Sequence, residues 1–303
     1  MPASPPQLVL IDGFAQIYRA FHAIRHLTNT AGHPTNALFG VARFFQTLAG
    51  NFDLTYSAFV LDKGVPQTRL ERLPSYKANR PPMPDDLRAQ IQPIREWVEA
   101  LGIPIFERAG YEADDLIAGL ATADLDVEIL IVSPDKDLGQ LVKDNHTRMI
   151  IPGKQGNYLS LGEAQVEEKF GVPPTQVRDW LALVGDTADN IPGVPGIGPK
   201  TAAQLLRQFG SIDGILENLD AVPRETIRQS ITTHADRIRD NKHIVALIPA
   251  LPDTWENVES SRKRAADYDQ LFGLADTYQL NAIKKTLLTE RNQQKSPALF
   301  DFF

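Results

Sequence analysis

The residues of this chain whose types and spacing could do chemistry are acids: Asp12, Asp62, Glu112, Asp114, Asp115, Asp135, Asp137, Asp186 and Asp189. Asp12 closes the apolar run Leu8-Val-Leu-Ile11, and Asp62 closes Tyr56–Leu61. A third run, Val127–Val132, leads into Ser133-Pro-Asp-Lys-Asp137. Asp135 and Asp137 stand two apart, so an extended loop points both the same way. Asp186 and Asp189 stand three apart, the spacing of neighbours on one helix face, and so do Glu112 and Asp115. Carboxylates that meet in one crevice cannot all stay ionised unless cations sit among them. Oxygen ligands without His or Cys select hard ions, Mg²⁺ or Mn²⁺ rather than zinc. Two such ions about 3.5–4 Å apart can stabilise the attacking and leaving oxygens of phosphodiester hydrolysis. Taken singly, each acid has a plainer use as a helix-dipole partner or a turn residue. Their gathering at several strand ends is what points to a site.

The elements that must hold these acids follow from the periodicity. Leu8–Ile11, Tyr56–Leu61 and Val127–Val132 read as buried strands, with a fourth around Arg148–Ile151. Helical patterns over Asn36–Leu48, Asp86–Leu101 and Glu112–Ala123 lie between them. The alternation predicts an α/β fold with a mixed, largely parallel sheet flanked by helices. Ligands of such sheets bind beyond the carboxyl ends of the strands, where the aspartates stand. Residues 63–84 break the pattern with five prolines and little periodicity, too long a stretch for a plain connection. From about Pro173 onward the chain reads as short helices divided by Gly and Pro.

Composition narrows the class further. Of 303 residues, 43% are hydrophobic and 23% charged, ordinary for a globular protein. The absence of cysteine excludes disulfides, thiolate zinc sites and a cysteine nucleophile. It fits a cytoplasmic setting, as does a start without a basic n-region and an apolar h-region. No apolar run suits a bilayer, so no membrane partner is expected. The net charge of −7 argues against nucleic acid on its face. Its distribution does not: Lys63, Arg69, Arg72, Lys77 and Arg80 face a single acid, Glu71, over Lys63–Arg80, and bases again exceed acids over Arg224–Lys242. An acidic protein can still present a local basic track.

A second motif is the glycine-rich turn Ile191-Pro-Gly-Val-Pro-Gly-Ile-Gly-Pro-Lys200-Thr201. Gly193, Gly196 and Gly198 allow tight turns, and Pro199 suits a first helical position. Free amides at the start of that helix, beside Lys200 and Thr201, would face an anion. An ordinary helix hairpin uses glycines in the same way. It is not a Walker loop, because the spacing and the preceding strand are wrong.

Together these segments resemble the 5′ nuclease family: flap endonucleases and the 5′→3′ exonuclease portion of bacterial DNA polymerase I. The motifs are Leu10-Ile-Asp-Gly13, Phe59-Val-Leu-Asp62, Arg69 through Pro74-Ser-Tyr-Lys-Ala-Asn-Arg80, Tyr111-Glu-Ala-Asp-Asp115, Ser133-Pro-Asp-Lys-Asp-Leu138, Gly185-Asp-Thr-Ala-Asp-Asn190 and the Gly193–Lys200 turn. The resemblance implies a PIN-like 5′ nuclease core over 1–172, with a helical arch over 63–90. It implies a helical DNA-binding region over 173–290 with a helix–three-turn–helix element near 180–210. It assigns Asp12, Asp62, Glu112, Asp114 and Asp115 to a first metal cluster, and Asp135, Asp137, Asp186 and Asp189 to a second. Lys77 and Arg80 match residues that contact the scissile phosphate, Tyr76 a base-stacking position, and Arg19 a basic residue near the active site. The Gly193–Gly198 turn matches an element that holds duplex phosphate and a K⁺ ion. The implied substrates are branched, flapped or nicked DNA, including RNA–DNA primers, in replication primer removal and repair. Pro134 departs from the small or β-branched residue usual there, with little effect expected. With no polymerase or proofreading segment following, a stand-alone enzyme is expected.

The last stretch, 291–303, reads as a polar linker ending in Ser296-Pro-Ala-Leu-Phe-Asp-Phe-Phe303. Leu299, Phe300, Phe302 and Phe303 resemble a sliding-clamp-binding peptide, although Ser296 stands where such peptides carry Gln. The alternative is a tail that folds back on its own domain. Three rival functions explain less. A haloacid-dehalogenase-type phosphatase needs an acid two residues after Asp12, where Phe14 stands. A PIN-type RNase leaves the glycine turn and the helical C-terminal third unexplained. A non-catalytic DNA-structure-binding protein has no use for the complete carboxylate set.

Overall fold

The computed structural model describes residues 6–153 and 156–295. Its strands are β1 (Gln7–Asp12), β2 (Tyr56–Val60), β3 (Ile105–Phe106), β4 (Glu128–Val132), β5 (Thr147–Pro152), β6 (Tyr158–Leu161), β7 (Gly185–Asp186) and β8 (Ile191–Pro192). The helices of the first half are α1 (Gly13–Ala23), α2 (Asn36–Ala49), α3 (Gln67–Arg72), α4 (Asp85–Ala100) and α5 (Ala113–Thr122). Then follow α6 (Glu163–Phe170), α7 (Pro174–Val184), α8 (Pro199–Phe209), α9 (Ile212–Glu217), α10 (Glu225–Thr233), α11 (Ala235–Ile244), α12 (Tyr268–Thr277) and α13 (Asn281–Lys295). The expected α/β class is found: a six-stranded, mostly parallel sheet flanked by helices, with a helical C-terminal region. No helix of the described residues is long and apolar enough to cross a membrane.

Two compact units divide the chain, and neither is continuous in sequence. One comprises Gln7–Leu61, Met83–Phe106 and the segment from Thr254. Its strands run parallel in the order β3-β2-β1, with Leu8 opposite Tyr56 and Phe59 opposite Ile105. Leu8 to Ile11 and Ala58 to Val60 are wholly buried. Strands covered on both faces read as unbroken apolar runs, which is why the sequence shows no alternation here. Gly13 follows Asp12 because nothing larger fits: a Cβ there would lie 2.6 Å from Leu61 Cδ2 and 2.8 Å from the Val60 carbonyl. The chain can therefore turn from β1 straight into α1, with Asp12 as N-cap accepting from the Ala15 amide at 3.2 Å.

The second unit comprises Asp62–Pro82 and Glu107–Asp253. Here β4 pairs parallel with β5 and β5 antiparallel with β6. α6 packs on β6, and α7 joins α6, α8 and α11. Asn241 of α11 ties the helices together by donating to the carbonyls of Ala182 at 3.0 Å and Pro192 at 2.8 Å. Most of the acids singled out above belong to this unit.

Candidate active site

The first part of the site is the β7–β8 hairpin. α7 ends at Val184, and Gly185 reverses the chain at φ +78°. A Cβ on Gly185 would lie 2.3 Å from the Gly193 amide nitrogen, and one on Gly193 would lie 2.1 Å from the Val184 carbonyl. Two glycines thus let the hairpin strands approach, setting Gly185 opposite Pro192 and Asp186 opposite Ile191. Asp186 and Asp189 lie across the turn of this hairpin, with Asp186 Oδ1 accepting from the Ala188 amide at 2.9 Å. The helix face expected from their spacing is not formed. A three-residue separation brings side chains together in a tight turn as it does in a helix.

The second part is the loop after β4. Buried Ser133 accepts from the Asp135 amide at 3.0 Å, and Asp135 Oδ1 accepts from the Asp137 amide at 2.9 Å. These two bonds lead into a short 3₁₀ turn over Asp137–Leu141, in which Leu138 is buried. Asp135 is thus held against the backbone amide of Asp137. One carboxylate oxygen from each of Asp137, Asp186 and Asp189 lies within 4.8 Å of the others. Asp137 Oδ1 is buried and has no hydrogen-bond partner. Burial, then the charge of Asp135, pushes the Asp137 carboxyl up to about 8. Lys136 donates to Asp186 Oδ2 at 2.7 Å.

Glu112 and Asp115 form the third part. Glu112 is the N-cap of α5, and its amide donates to Asp115 Oδ2 at 3.3 Å. The expected spacing is thus realised as a reciprocal helix cap. Both are buried, Asp115 completely, and both lean on Arg69. Arg69 is 4% exposed and spends every donor of its fork. It reaches Asp115 at 2.9 and 2.7 Å, Glu112, and the carbonyls of Ile244 at 3.0 Å and Ala246 at 2.8 Å. Sequence reasoning placed Arg69 in a basic track and at the head of a family motif, and gave it no role among the carboxylates. An arginine among basic residues carries no sign that it will be buried.

The segment Pro74–Arg80 is clasped onto the hairpin. Asn79 donates to the Thr187 carbonyl and Asn190 to the Ser75 carbonyl, both at 2.7 Å. The Tyr76 hydroxyl bridges Glu112 at 3.1 Å and Asp189 at 3.0 Å. Burial, then those two carboxylates, raise its pKa far above the usual phenol value, so it stays a donor. Lys77 pairs with Glu112 and lies 3.7 Å from Asp189, and Arg80 pairs with Asp189. Burial opposes the charge on Lys77, but Glu112 and Asp189 outweigh it and hold its pKa above the ordinary lysine value.

The remaining predicted residues fall as follows. Asp62 is exposed, and its Oδ1 accepts from the Ala113 amide at 2.7 Å at the start of α5. Asp114 is half-buried in the first turn of that helix. Asp12 and the exposed Arg19 belong to the other compact unit, one ending β1 and the other on α1. In the glycine turn, buried Val194 and Ile197 pin the chain while Gly196, Gly198 and Lys200 stay exposed. Thr201 is half-buried in the first turn of α8. Trp180 of α7 holds the turn's far end, donating to the Pro199 carbonyl at 3.1 Å. Gly193 allows the hairpin's close approach to Val184. Leu299, Phe300, Phe302 and Phe303 lie outside the described residues.

The carboxylates fit divalent ions. Their donors are all oxygens, three come from separate positions to within one ion's reach, and the unpartnered Asp137 oxygen is a buried acceptor with nothing to accept from. Asp137, Asp186 and Asp189 would hold one ion. Glu112 and Asp115 are now balanced by Arg69 and Lys77.

The sequence matches two domains in succession. Residues 7–171 match the N-terminal resolvase-like domain of 5′-3′ exonucleases, and residues 172–269 their C-terminal SAM fold. A 5′-3′ exonuclease of Aquifex aeolicus is 40% identical over 220 residues, 72% of this chain and 75% of that protein. DNA polymerase I of Pseudomonas aeruginosa is 44% identical over 228 residues, 74% of this chain and 24% of the polymerase. The chain thus spans about a quarter of that polymerase's length. The fold is that of a T5 5′-exonuclease solved with bound zinc, at TM-score 0.64 and 23% identity, covering 93% of this chain and 98% of that one. It is also that of the catalytic core of Rad2 in complex with DNA substrate, at 0.66 and 17%, covering 94% and 93%. The chain belongs to the 5′-3′ exonuclease family, a family of phosphodiester hydrolases, as its motifs implied.

Proposed function

We propose that this chain is a structure-specific 5′ nuclease that hydrolyses flapped, branched or nicked DNA, including RNA–DNA primers, in replication and repair. The observation that carries the reading is the Asp137–Asp186–Asp189 cluster, with its unpartnered buried oxygen, lying under the clasped Lys77 and Arg80. Two Mg²⁺ or Mn²⁺ ions held by these carboxylates would supply a low-pKa water and would stabilise the attacking and leaving oxygens. Asp135 completes the second set as positioner of Asp137. Asp12, Asp62, Glu112, Asp114 and Asp115 serve the first.

The protein's own groups do the rest. Lys77 and Arg80 pair with Glu112 and Asp189. In the proposed reaction Lys77 and Arg80 hold the scissile phosphate and offset its developing charge. Tyr76 now lies inside the carboxylate cluster, so it stacks on a base only after the clasp opens. Arg19 adds a further positive group for the 5′ strand. The arch of residues 63–90 admits that strand, and the region 173–290 grips the duplex. Its helix–three-turn–helix element near 180–210 presents Gly196, Gly198, Lys200 and Thr201 to phosphate, with a K⁺ ion at the turn. Such contacts position DNA without reading its sequence. The products are a 5′-phosphate and a 3′-hydroxyl. The setting is the cytoplasm, consistent with a chain free of cysteine. Residues 291–295, read as linker in the sequence, close α13, and the segment 296–303 binds a sliding clamp through Leu299, Phe300, Phe302 and Phe303, so that deleting 296–303 should abolish clamp affinity.

The test is cleavage of a 5′-labelled flap duplex with Mg²⁺, beside the matching single strand and an EDTA control. Metal-dependent cutting near the junction, with little on the single strand, supports the reading. Tight flap binding without cutting in either Mg²⁺ or Mn²⁺ overturns it.

A further inference from the structure

The C-terminal half of α13 forms one wall of a half-open groove, through Leu287 and Glu290. The other walls come from α2, α4, α12 and the segments 101–103 and 263–266, all within the first-described unit. The groove measures about 370 Å³. Sites that hold a ligand run from about 300 to 1,000 Å³. Phe45, Leu54, Ile103 and Leu271 give it an apolar, buried floor, while Ala49, which also lines it, is exposed. Carbon walls open to water favour an apolar occupant.

The chain itself supplies one within reach. α13 closes at Lys295, and the residues that follow include Ala298, Leu299, Phe300, Phe302 and Phe303. From Glu290 to Lys295 a helix advances about 7.5 Å. An extended chain covers about 3.3–3.6 Å per residue, so Ser296 to Ala298 span the return to the level of Glu290. Pro297 favours a change of course there, because a residue before proline is pushed out of the helical region. Leu299 to Phe303 would then arrive beside the groove. Charge agrees with this. Among the described residues, Lys263 is the one base of the lining and Glu290 the one acid. Burial lowers the pKa of Lys263 more than the charge of Glu290 raises it, so its ammonium is under-compensated. Asp301 is the one acid of residues 296–303 and would bring a second carboxylate.

We propose that this groove is the docking site for residues 299–303 of the same chain. Phe300 and Phe302, two apart and on one side of an extended segment, enter the apolar floor, and Asp301 between them stays at the rim beside Lys263. A tether this short keeps the segment at an effective concentration on the order of millimolar, so a dissociation constant of about 0.1 mM for the free peptide leaves the tethered one seated about nine-tenths of the time. The clamp contact proposed above uses the same side chains, so docking in the groove and clamp engagement exclude each other. The docking stands whether or not the nuclease and clamp readings hold.

The experiment compares the full chain with a protein ending at Lys295, by ¹H–¹³C methyl spectra. Truncation should shift the methyl signals of Leu54, Ile103 and Leu287, which line the groove. A synthetic peptide of residues 295–303, added to the truncated protein, should return those signals saturably, with a dissociation constant of about 0.1 mM or tighter. Serine in place of both Phe300 and Phe302 should weaken the peptide by about tenfold or more, through the loss of two buried rings. Lys263→Met, which keeps the stem and removes the charge, should weaken the parent peptide about two- to fivefold and leave an Asp301→Asn peptide unchanged. Groove signals unmoved by truncation, or a peptide that fails to return them saturably, would overturn the proposal. So would full-chain signals that drift toward the truncated positions on dilution, since the tail of a second copy would then be the occupant. An equal loss for both peptides in Lys263→Met would overturn the pairing with Asp301.

Discussion

The backbone amide of Lys77 donates to the carbonyl of Asp189 at 2.9 Å, with Lys77 held in the left-handed region at φ +56°. One hydrogen bond thus fixes the proposed phosphate-contacting lysine to the same turn that carries a proposed metal ligand. Asn190, next in that turn, is also left-handed at φ +59° and binds back to Ser75. Non-glycine residues adopt this conformation at a cost, and two in contact indicate a geometry fixed by the surrounding structure. The basic segment is therefore held in register with the carboxylates before any substrate arrives.

Lys77→Ala should consequently slow the chemical step while leaving duplex affinity close to that of the parent. The expected loss in single-turnover rate is about 10²-fold, the usual effect of removing one donor aimed at developing charge. Single-turnover cleavage of a flap substrate, beside equilibrium binding in Ca²⁺, separates the two effects. A loss confined to binding would count against the phosphate-holding role.

Arg69→Ala should destabilise the fold by about 3–5 kcal/mol, because it strands a buried carboxylate. Asp115 has no exposed surface, and Arg69 supplies two of its hydrogen bonds. Arg69→Lys should recover only part of this, since an ammonium cannot reproduce the planar fork that also serves Ile244 and Ala246. Urea unfolding of the three proteins in EDTA measures the ranking. Equal stability of parent and Arg69→Ala would show the pair to be dispensable.

The raised pKa of Asp137 gives the metal-free protein a pH signature. The folded carboxyl titrates near 8, against an ordinary value of 3.8. Between those values the folded state holds a proton that the unfolded chain has lost. The stabilisation is complete below the lower value and is lost as pH rises through the higher one. Thermal stability in EDTA should therefore fall between pH 4 and pH 8 and flatten in Asp137→Asn. Mg²⁺ should stabilise the parent more at pH 8 than at pH 5, with proton release detectable by calorimetry in buffers of different ionisation enthalpy. A pH-independent Mg²⁺ effect without proton release would remove Asp137 from the ligand set.

Much of this was legible in the sequence because it is written in local pattern. The four strands and three helices read from periodicity are all present, with no end shifted by more than one residue. β3 has two residues, too few to show a period, and α3 was hidden in a proline-rich basic stretch. At the site, residue types named the acids, but spacing misjudged how one pair, Asp186 and Asp189, is held. Asp186 and Asp189 meet across a turn, and Asp135 caps Asp137. The burial of Arg69 depends on Asp115, Ile244 and Ala246, which are brought to it only by the tertiary fold. No local pattern announces such a contact.

The glycines around the hairpin should separate into structural and surface classes. Gly193→Ala drives a methyl to 2.1 Å from the Val184 carbonyl, a clash that only backbone displacement relieves. Since the same hairpin holds Asp186 and Asp189, displacement should cost stability and metal affinity together. A loss of about 3 kcal/mol is expected, in the range for strain forced on a packed backbone. Gly198→Ala meets open space, and φ −94° suits any residue. Its stability should stay within about 0.5 kcal/mol of the parent. If the α8 start grips phosphate, a methyl at Gly198 should instead weaken duplex binding and leave Mg²⁺ affinity intact. Urea midpoints, Mg²⁺ titrations and duplex binding on both variants decide it. Matching losses in both variants would mean that the turn and the hairpin act as one element. A Gly193→Ala protein as stable as the parent would show that the close approach at Val184 is not required.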